Sequence, residues 1–263
     1  MTRYVVKLGG HALDALDASA VVLRALAEDV NELRRESMEV ALVHGGGPQI
    51  ENLLAAVGHD SSFLDGLRVT DDATMKYVAM ALGAVNTQLV ATLNHLGLHC
   101  AGVSGTDATT FRASPLGGPW GRSGGTPEVD ASLLEALWRA GVTPVVSPIA
   151  VDSTGDLVNC NADTVAGALA GSVGALCLVM LSDVDQLLED AQDEKSALDV
   201  VSALRVRQLL DDGAARGGMR PKLRAALTAL EGGASRVTVA NGTRPHALRD
   251  VVRGRAKSTE VRR

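Results

Sequence analysis

The chain has 263 residues, of which 46% are hydrophobic and 21% charged, and its formal net charge is −6. This composition is that of a globular protein, and the length is ample for a sizeable hydrophobic core. The acidic balance and an aromatic content of only 2% argue against nucleic-acid binding, and the absence of a long apolar run or a signal-peptide pattern argues against a membrane span or secretion.

The elements predicted along the chain alternate between short apolar strands and amphipathic helices. Strands are predicted, in chain order, at Val5–Leu8, Val40–Val43, Val142–Val146, Leu176–Leu181 and Arg236–Val239. Helices are predicted from Val22 to Leu33, after Pro48, at 72–96, and at Asp163–Leu169, Ser202–Leu210 and Pro221–Leu230. Because the strands are apolar on both faces, we predict an α/β fold with an open, mainly parallel sheet sandwiched by helices.

Three further segments lack a regular pattern. Residues 114–127 are rich in Gly, Pro and Ser and predict a loop or an irregular hairpin. Residues 185–196 are polar and predict an exposed excursion. Residues 253–263 are basic and predict a solvated tail.

Two glycine clusters lie where predicted strands end. Gly9 and Gly10 follow the first strand, and Gly45–Gly47 lie between the second strand and a helix. Glycine lets backbone N–H groups approach a ligand, and a helix N-terminus favours anions, so the clusters predict a phosphate or carboxylate site; the alternative is a pair of tight turns. The chain has no GxxxxGK[ST] or GxGxxG motif and no kinase HRD or DFG triplet, which excludes the usual phosphate-binding routes, and no GxSxG nucleophile elbow is predicted between a strand and a helix.

Several charged and amide side chains are candidates for this site. Lys7 interrupts the apolar first strand, where it could face a bound anion or lie on an exposed edge strand. Lys222 stands near a helix start, which is unfavourable for a cation unless an anion is present. Asn159–Asp163 forms a polar cluster that exceeds what one helix N-cap requires. Arg68 could clamp a carboxylate or be an ordinary exposed arginine.

Metal and redox chemistry have little support. The histidines show no HxH or HExxH spacing, so a zinc site is not expected. The three cysteines, Cys100, Cys160 and Cys177, show no CxxC spacing and predict reduced, buried thiols in a cytoplasmic protein.

Short motifs in a fixed order along almost the whole chain carry a resemblance. They are Val6–Gly10, Val43–Pro48, Gly66–Thr70, Val85–Asn86, Val103–Asp107, Pro144–Ile149, Asn159–Asp163, Leu181–Val184 and Gly217–Lys222, with Ser258–Val261 as a variant of a closing Gly-Thr-x-Ile. The chain resembles the amino-acid kinase family, and within it the branch that phosphorylates N-acetyl-L-glutamate. The resemblance implies a carbamate kinase-like fold in one domain, with an acylamino-acid-binding and dimerisation lobe at 1–150 and an ATP-binding lobe at 151–263.

The resemblance also implies a reaction and its residues. The reaction is ATP-dependent phosphorylation of the side-chain carboxylate of N-acetyl-L-glutamate to an acyl phosphate, a step of arginine biosynthesis. Lys7 and Lys222 would stabilise the transferring phosphoryl group, and Asp163 would hold both lysines. The implied substrate-binding residues are Gly46, Gly47, Arg68 and Asn159. The implied ATP-binding residues are Gly9, Gly10, Asp183, Val184, Leu187 and Leu188, with Mg²⁺ held by the phosphates and not by the protein.

The chemistry of the residues agrees with this reaction. A carboxylate with a pKa near 4.3 is already ionised at neutral pH, so no general base is needed. Phosphoryl transfer depends mainly on positioning and charge neutralisation, for which two lysines and glycine-loop amides suffice.

Two residues depart from the family pattern. Gln186 stands where the family usually has glycine, so the nucleotide loop is expected to differ, and Ser123 stands where a hairpin over the substrate usually carries valine. The chain begins at its first strand, without the preceding helix of arginine-inhibited hexameric members. We therefore expect an arginine-insensitive homodimer, formed through the helix at 72–96.

Three other functions stay open at this point. One is a kinase for an N-acyl or carrier-bound aminoadipate derivative in lysine biosynthesis, and another is a kinase for a different small acid. The third is a non-catalytic amino-acid sensor, which predicts the loss of Lys7, Lys222 or Asp163, all of which are present.

Overall fold

The computed structural model describes residues 1–9, 20–189, 193–213 and 219–263. Its strands are β1 Thr2–Leu8, β2 Met38–His44, β3 Phe63–Leu64, β4 Leu67–Arg68, β5 Cys100–Val103, β6 Phe111–Arg112, β7 Glu128–Val129, β8 Thr143–Val146, β9 Ile149–Val151, β10 Leu157–Asn159, β11 Cys177–Ser182, β12 Val200–Ser202, β13 Arg236–Asn241 and β14 Ser258–Arg262. Its α-helices are α1 Ala20–Arg35, α2 Gly47–Ala56, α3 Asp72–His95, α4 Ser132–Arg139, α5 Ala162–Ser172, α6 Ala203–Asp211, α7 Met219–Gly232 and α8 Ala247–Val252.

An eight-stranded sheet organises the fold, in the order β12-β14-β13-β11-β1-β2-β8-β5. All neighbouring pairs are parallel except β13 and β14, which confirms the predicted open, mainly parallel sheet. Strand β1 lies in the middle, between β11 and β2, so Lys7 is on a central strand and not on an exposed edge. The carboxyl ends of β1, β2 and β11 therefore meet at one edge of the sheet, where ligands bind in such folds.

Helices cover both faces of this sheet, as the apolar strands predict. One core is built on α1, α3 and α8, and includes Leu26, Val30 and Leu33 from the predicted apolar face of α1. The other core is built on α4 to α7 and surrounds Leu178 and Met180 of β11. Strands such as β2 are buried on both faces because each face meets one of these layers.

A second sheet of four short strands, β10-β9-β6-β7, and the hairpin β3-β4 complete the fold. Residues 114–127 connect β6 to β7 without a regular strand, which confirms the predicted irregular segment. The strands of the second sheet and of the hairpin have only two or three residues each. Strands this short show no alternating pattern that the sequence could reveal.

Two predictions for exposed segments were wrong. The basic segment at 253–263 is not a solvated tail, because β14 pairs with β13 and Arg253 binds Glu32 of α1 and Glu36 just after it. The segment at 185–196 is not exposed throughout, because Gln186 and Leu187 are 7% and 4% exposed. In both cases long-range pairing with another part of the chain buries residues whose local sequence is polar.

Three smaller expectations can be compared directly. Cys100, Cys160 and Cys177 are free and buried, as predicted. Within the described ranges, no helix has the length and apolarity needed to span a bilayer. The same ranges contain no group of three or more His, Cys, Asp or Glu side chains suited to a metal ion.

Candidate active site

Two lysines and one aspartate meet at the carboxyl edge of the main sheet. Lys7 Nζ of β1 lies 2.8 Å from Asp163 Oδ1, and Lys222 Nζ of α7 lies 3.8 Å from Asp163 Oδ2. Lys7 and Asp163 are 8% and 5% exposed. A buried carboxylate between two ammonium groups leaves a net positive charge in a site sheltered from water, where a polyanion would be bound strongly.

The close packing of α5 on α7 brings Asp163 and Lys222 together. A Cβ on Gly167 of α5 would lie 2.5 Å from the Ala225 carbonyl oxygen of α7, so the glycine allows the two backbones to touch. Asn161 caps α5, because its Oδ1 accepts from the Asp163 and Thr164 amides at 2.8 and 3.3 Å. The polar cluster at 159–163 therefore supplies both the cap and a separate carboxylate.

The glycine loop Gly45–Gly47 joins β2 to α2 beside this centre. A Cβ on Gly46 would lie 2.7 Å from Leu82 Cδ2, whereas no atom lies within 4 Å of a Cβ built on Gly47. Gly46 thus lies against the Leu82 side chain of α3, and Gly47 is the exposed first residue of α2. Gly9 follows β1, and a Cβ there would lie 2.9 Å from the Leu181 carbonyl oxygen.

Gly10, the other glycine predicted to bind phosphate, lies outside the described residues. So do Gly217 and Gly218, which precede α7.

A cavity of about 270 Å³ lies next to the two lysines and the glycine loop. It brings together Lys7, Asp163 and all four predicted substrate-binding residues. Its lining comprises Lys7, Gly45, Gly46, Gly47, Pro48, Ile50, Phe63, Gly66, Leu67, Arg68, Leu82, Ser123, Pro148, Asn159, Cys160, Asn161, Ala162 and Asp163. The mixture of apolar walls, amides and cations suits a small, polar, negatively charged ligand.

Arg68 enters the cavity from β4 and is 6% exposed, so it is not an ordinary surface arginine. Its guanidinium group donates to Glu51 and Ser61, and lies 4.7 Å from the centre of the Phe63 ring. It also approaches the Gly47 carbonyl oxygen at 3.5 Å. These contacts fix the plane of the guanidinium and leave a buried cation on the cavity wall. The local sequence around Glu51 does not indicate that it pairs with Arg68.

Hydroxyl groups brace the wall opposite the glycine loop. The Asn159 amide donates to Thr70 Oγ1 at 3.0 Å, and that hydroxyl donates to the Arg68 carbonyl oxygen at 2.9 Å. Ser123 Oγ lies 3.0 Å from Thr70 Oγ1 and donates to the same Arg68 carbonyl. Ser123, the residue that departs from the family pattern, therefore holds the backbone at Arg68. Thr70 was not among the predicted site residues, although it lies in the same short motif.

Burial shifts the pKa of one group on the cavity wall, Cys160, and of one that precedes the glycine loop, His44. It raises the pKa of the Cys160 thiol to about 12, so the thiol stays neutral. It lowers the pKa of His44, which precedes the glycine loop, from 6.5 to about 4, so the imidazole is neutral at physiological pH. Neither group is suited to act as a general base near neutral pH.

The segment predicted to contact ATP follows β11 and is separate from this cavity. Asp183 and Val184 are exposed at the end of the strand, whereas Leu187 is part of the core beneath it and Leu188 is half-buried. Leu187 thus contributes packing, and the structure does not bring its side chain to an open surface.

Hydrogen bonds tie this segment to the last strands of the sheet. The Gln186 amide donates to Asp199 Oδ1 at 2.7 Å and to the Ser258 carbonyl oxygen at 3.2 Å. The Leu187 amide donates to Thr259 Oγ1 at 2.8 Å. Gln186, the second departure from the family pattern, fills its position with a buried amide that joins three parts of the chain.

Comparison with known sequences shows that this chain is similar to kinases. The chain matches the family model described as "Amino acid kinase family" over residues 2–241. An acetylglutamate kinase of Symbiobacterium thermophilum is 41% identical over 254 residues, covering 93% of this chain and 85% of that protein. An acetylglutamate kinase of Methanocaldococcus jannaschii is 37% identical over 258 residues with the same coverage of both chains.

Solved structures share the fold. N-acetylglutamate synthase from Neisseria gonorrhoeae, complexed with coenzyme A and N-acetyl-glutamate, superposes with a TM-score of 0.82 at 25% identity. The match includes all of this chain, which spans 59% of the synthase chain. Carbamate kinase from Giardia lamblia bound to AMP-PNP superposes with a TM-score of 0.70 at 15% identity, covering 99% and 98% of the two chains, and supports the fold alone.

Proposed function

The chain belongs to the amino acid kinase family, and on that premise we propose that it is an acetylglutamate kinase. It transfers the γ-phosphoryl group of ATP to the side-chain carboxylate of N-acetyl-L-glutamate and forms an acyl phosphate in arginine biosynthesis. The observation that carries the proposal is the pairing of Asp163 with both Lys7 and Lys222 at the end of a small cavity. Relatives with the acetylglutamate kinase name match over nearly the whole chain.

The cavity accounts for the acceptor. Its volume of about 270 Å³ suits a small acylated amino acid, and the buried Arg68 offers a guanidinium to a carboxylate. Asn159 and the amides of Gly46 and Gly47 supply donors to the rest of the polar acceptor. The side-chain carboxylate of the acceptor then lies towards Lys7.

The two lysines account for the transfer. The acceptor carboxylate is ionised at neutral pH and attacks the γ-phosphorus without losing a proton, so no base is required. Lys7 and Lys222 neutralise the charge that develops on the transferring phosphoryl oxygens, and Asp163 keeps the two ammonium groups near each other. A bond forms from a carboxylate oxygen to phosphorus as the bond to the β-phosphate oxygen breaks, with ADP as the leaving group.

ATP binds on the other side of the lysines in this proposal. Gly9 and Gly10 approach the phosphates, and the segment from Asp183 to Leu188 borders the base and ribose. The contacts of Asp163 with two ammonium groups leave it poorly suited as a magnesium ligand, and the described residues offer no other carboxylate cluster there. Mg²⁺ accordingly enters on the phosphates of ATP.

We also propose the organisation that the family resemblance implies. The acceptor site belongs to residues 1–150 and the nucleotide site to 151–263, with Asn159 and Asp163 at their junction. The active form is a homodimer built on α3. Met80 of α3 is 62% exposed, which supports this face as the contact between subunits.

The test is ATP-dependent formation of an acyl phosphate, trapped with hydroxylamine as a hydroxamate. N-acetyl-L-glutamate, N-acetylaminoadipate and no acceptor are compared side by side, with Lys7→Ala as the inactive variant. We expect a hydroxamate with N-acetyl-L-glutamate that is lost in Lys7→Ala. A signal only with the longer acid would assign the enzyme to the aminoadipate branch, and no signal with either acid in protein that binds ATP would overturn the acetylglutamate assignment.

A further inference from the structure

His44 is a buried polar residue at the site to which the proposed reaction assigns no part. It ends β2, is 0% exposed, and immediately precedes the glycine loop. Both ring nitrogens have partners: Nδ1 lies 2.7 Å from the Gly45 carbonyl oxygen, and Nε2 lies 3.0 Å from Asn86 Nδ2.

The partners of Asn86 determine which ring nitrogen of His44 carries the proton. Asn86 Nδ2 lies 2.9 Å from the Val145 carbonyl oxygen, which can only accept, so the atom between them is the amide nitrogen and it donates. The same NH₂ group therefore donates to His44 Nε2, which must be unprotonated. The proton is on Nδ1, and it is donated to the Gly45 carbonyl oxygen.

The sequence makes room for this arrangement. Asn86 stands on α3 and reaches between the helix and the sheet, where a Cβ on Gly102 of β5 would lie 2.0 Å from Asn86 Oδ1. A glycine at 102 is thus what allows the amide to lie flat against β5.

The held carbonyl determines the direction of the next amide. In a trans peptide unit the C=O and the following N–H point in opposite directions, so a Gly45 carbonyl held by His44 directs the Gly46 N–H away from His44. Within the described chain the Gly46 N–H donates to no other group. Gly45 and Gly46 both line the cavity that contains Lys7 and Asp163.

We infer that His44 is a positioning residue, which holds the Gly45–Gly46 peptide so that the Gly46 N–H donates to an anionic oxygen at the site of transfer. The inference rests on the proposed function, because it takes that oxygen to belong to the acceptor carboxylate or the transferring phosphoryl group. His44 itself touches neither. A preorganised donor of this kind stabilises charge without reorganisation during the reaction.

The surroundings of His44 keep it neutral. Leu8 of β1 pairs with it in the sheet, α3 presents Asn86, and β8 presents the Val145 carbonyl. The charged residue next along β1, Lys7, is bound to Asp163. No charged side chain contributes to the lowered pKa of His44, which burial causes. The Nδ1–H donor is therefore present at every pH at which the enzyme would work.

The first test compares two amide replacements. In His44→Asn the side-chain nitrogen can take the place of Nδ1, whereas in His44→Gln it reaches towards the place of Nε2. We expect His44→Asn to keep kcat/KM for N-acetyl-L-glutamate within about 3-fold, and His44→Gln to lower it by roughly 10- to 100-fold with KM for ATP unchanged. Equal losses in the two variants would overturn the inference.

The second test is a pH profile that a purely structural role would not produce. In Asn86→Asp the new carboxylate accepts a hydrogen bond from His44 Nε2–H. A neutral His44 then has its proton on Nε2, and its unprotonated Nδ1 faces the Gly45 carbonyl oxygen without a hydrogen to donate. Protonation of His44 restores the Nδ1–H donor, so we expect the ratio of Asn86→Asp to wild-type kcat/KM to rise as pH falls from about 8 to 6. The matched control is Asn94→Asp on the same helix. This change breaks similar bonds, which run from the Asn94 amide to the Val90 and Cys100 carbonyl oxygens. A rise of the same size in this control would contradict the inference.

A third measurement needs no substrate. The ¹⁵N chemical shifts of the His44 ring in the wild-type protein should identify a protonated Nδ1 and a bare Nε2. The opposite tautomer would overturn the inference even if the kinase reaction is found. Conversely, absence of hydroxamate in protein with the expected tautomer would overturn the proposed function and the role of Gly46 in it, while leaving the bonding of His44 intact.

Discussion

The cavity side of the site and the segment after β11 differ in how deeply their side chains are buried. Around the cavity, Arg68, Thr70 and Ser123 are buried and hydrogen-bonded to one another or to neighbouring backbone. After β11, Asp183 and Val184 are exposed at the surface. The residues that follow are tied to the rest of the sheet, since Asp185 accepts from the Asn241 amide and Gln186 donates to Asp199 Oδ1 and to the Ser258 carbonyl oxygen.

This difference indicates two ways of binding a substrate. The side chains of a preformed cavity are already ordered when the protein folds. Such a cavity therefore discriminates sharply between substrates, and a substitution within it alters substrate affinity and protein stability together. An exposed surface supported from below contributes smaller contacts, each of which can be changed with little effect on folding. The following predictions test that comparison between the proposed acceptor and nucleotide sides.

The largest effect is expected where the two sides meet. Lys7→Ala and Lys222→Ala should each lower kcat by about 10²- to 10³-fold, because each removes a cation from the transferring phosphoryl group. Steady-state hydroxamate formation measures the loss, with the exposed Lys257→Ala as a control expected to be unchanged. A variant of either lysine with nearly full activity would contradict its proposed role.

The buried bracing of the acceptor side should also make stability depend on pH. Because burial lowers the pKa of His44 from 6.5 to about 4, the unfolded chain binds this proton first as pH falls. The free energy of unfolding should therefore contain a contribution that is complete above pH 6.5 and is lost towards pH 4, by up to about 3 kcal/mol. Denaturant unfolding across this range should show a smaller pH dependence in His44→Asn, and an unchanged dependence would refute the prediction.

Arg68 tests the acceptor side by itself. In Arg68→Lys a single ammonium replaces the planar fork that binds Glu51 and faces the cavity, so KM for N-acetyl-L-glutamate should rise about 10-fold or more while KM for ATP is unchanged. The matched control is Arg112→Lys, because the Arg112 side chain on β6 is exposed. A rise in KM for ATP instead would contradict the assignment of Arg68 to the acceptor side.

Gln186 tests the nucleotide side and should give the smallest effect. Gln186→Ala removes the bonds to Asp199 and the Ser258 carbonyl, so KM for ATP should rise about 5-fold, equivalent to roughly 1 kcal/mol, with KM for the acceptor unchanged. The exposed Gln208→Ala serves as control. If Gln186→Ala affects the acceptor instead, the division into two sides is wrong.

The same contrast appears in what the sequence could predict. The apolar strands and helix periodicities predicted a mainly parallel sheet between two helix layers and five of its eight strands, because these depend on local patterns. Motif order placed Lys7, Asp163 and Lys222 in one site, and the structure brings the three together. The two-residue strands β3, β4, β6 and β7 are too short for such a pattern to be visible.

Partners that are distant in sequence could not be predicted. Nothing near Glu51 identifies Arg68 as its partner, and nothing near Gln186 points to Asp199. Gln186 and Ser123 were noticed only as departures from a family pattern, and the contacts that explain them come from other elements.

The sequence by itself determined the fold class and the glycines at strand ends, because periodicity and glycine carry direct physical meaning. The order of its motifs, through the family resemblance, placed the two lysines and the aspartate in one site. The tertiary structure alone decided that β14 belongs to the sheet, that Arg68 is buried against Glu51, and that His44 is held by Asn86. The reason is that the energy of a buried polar group depends on its partner, and the fold, not the local sequence, decides which partner that is.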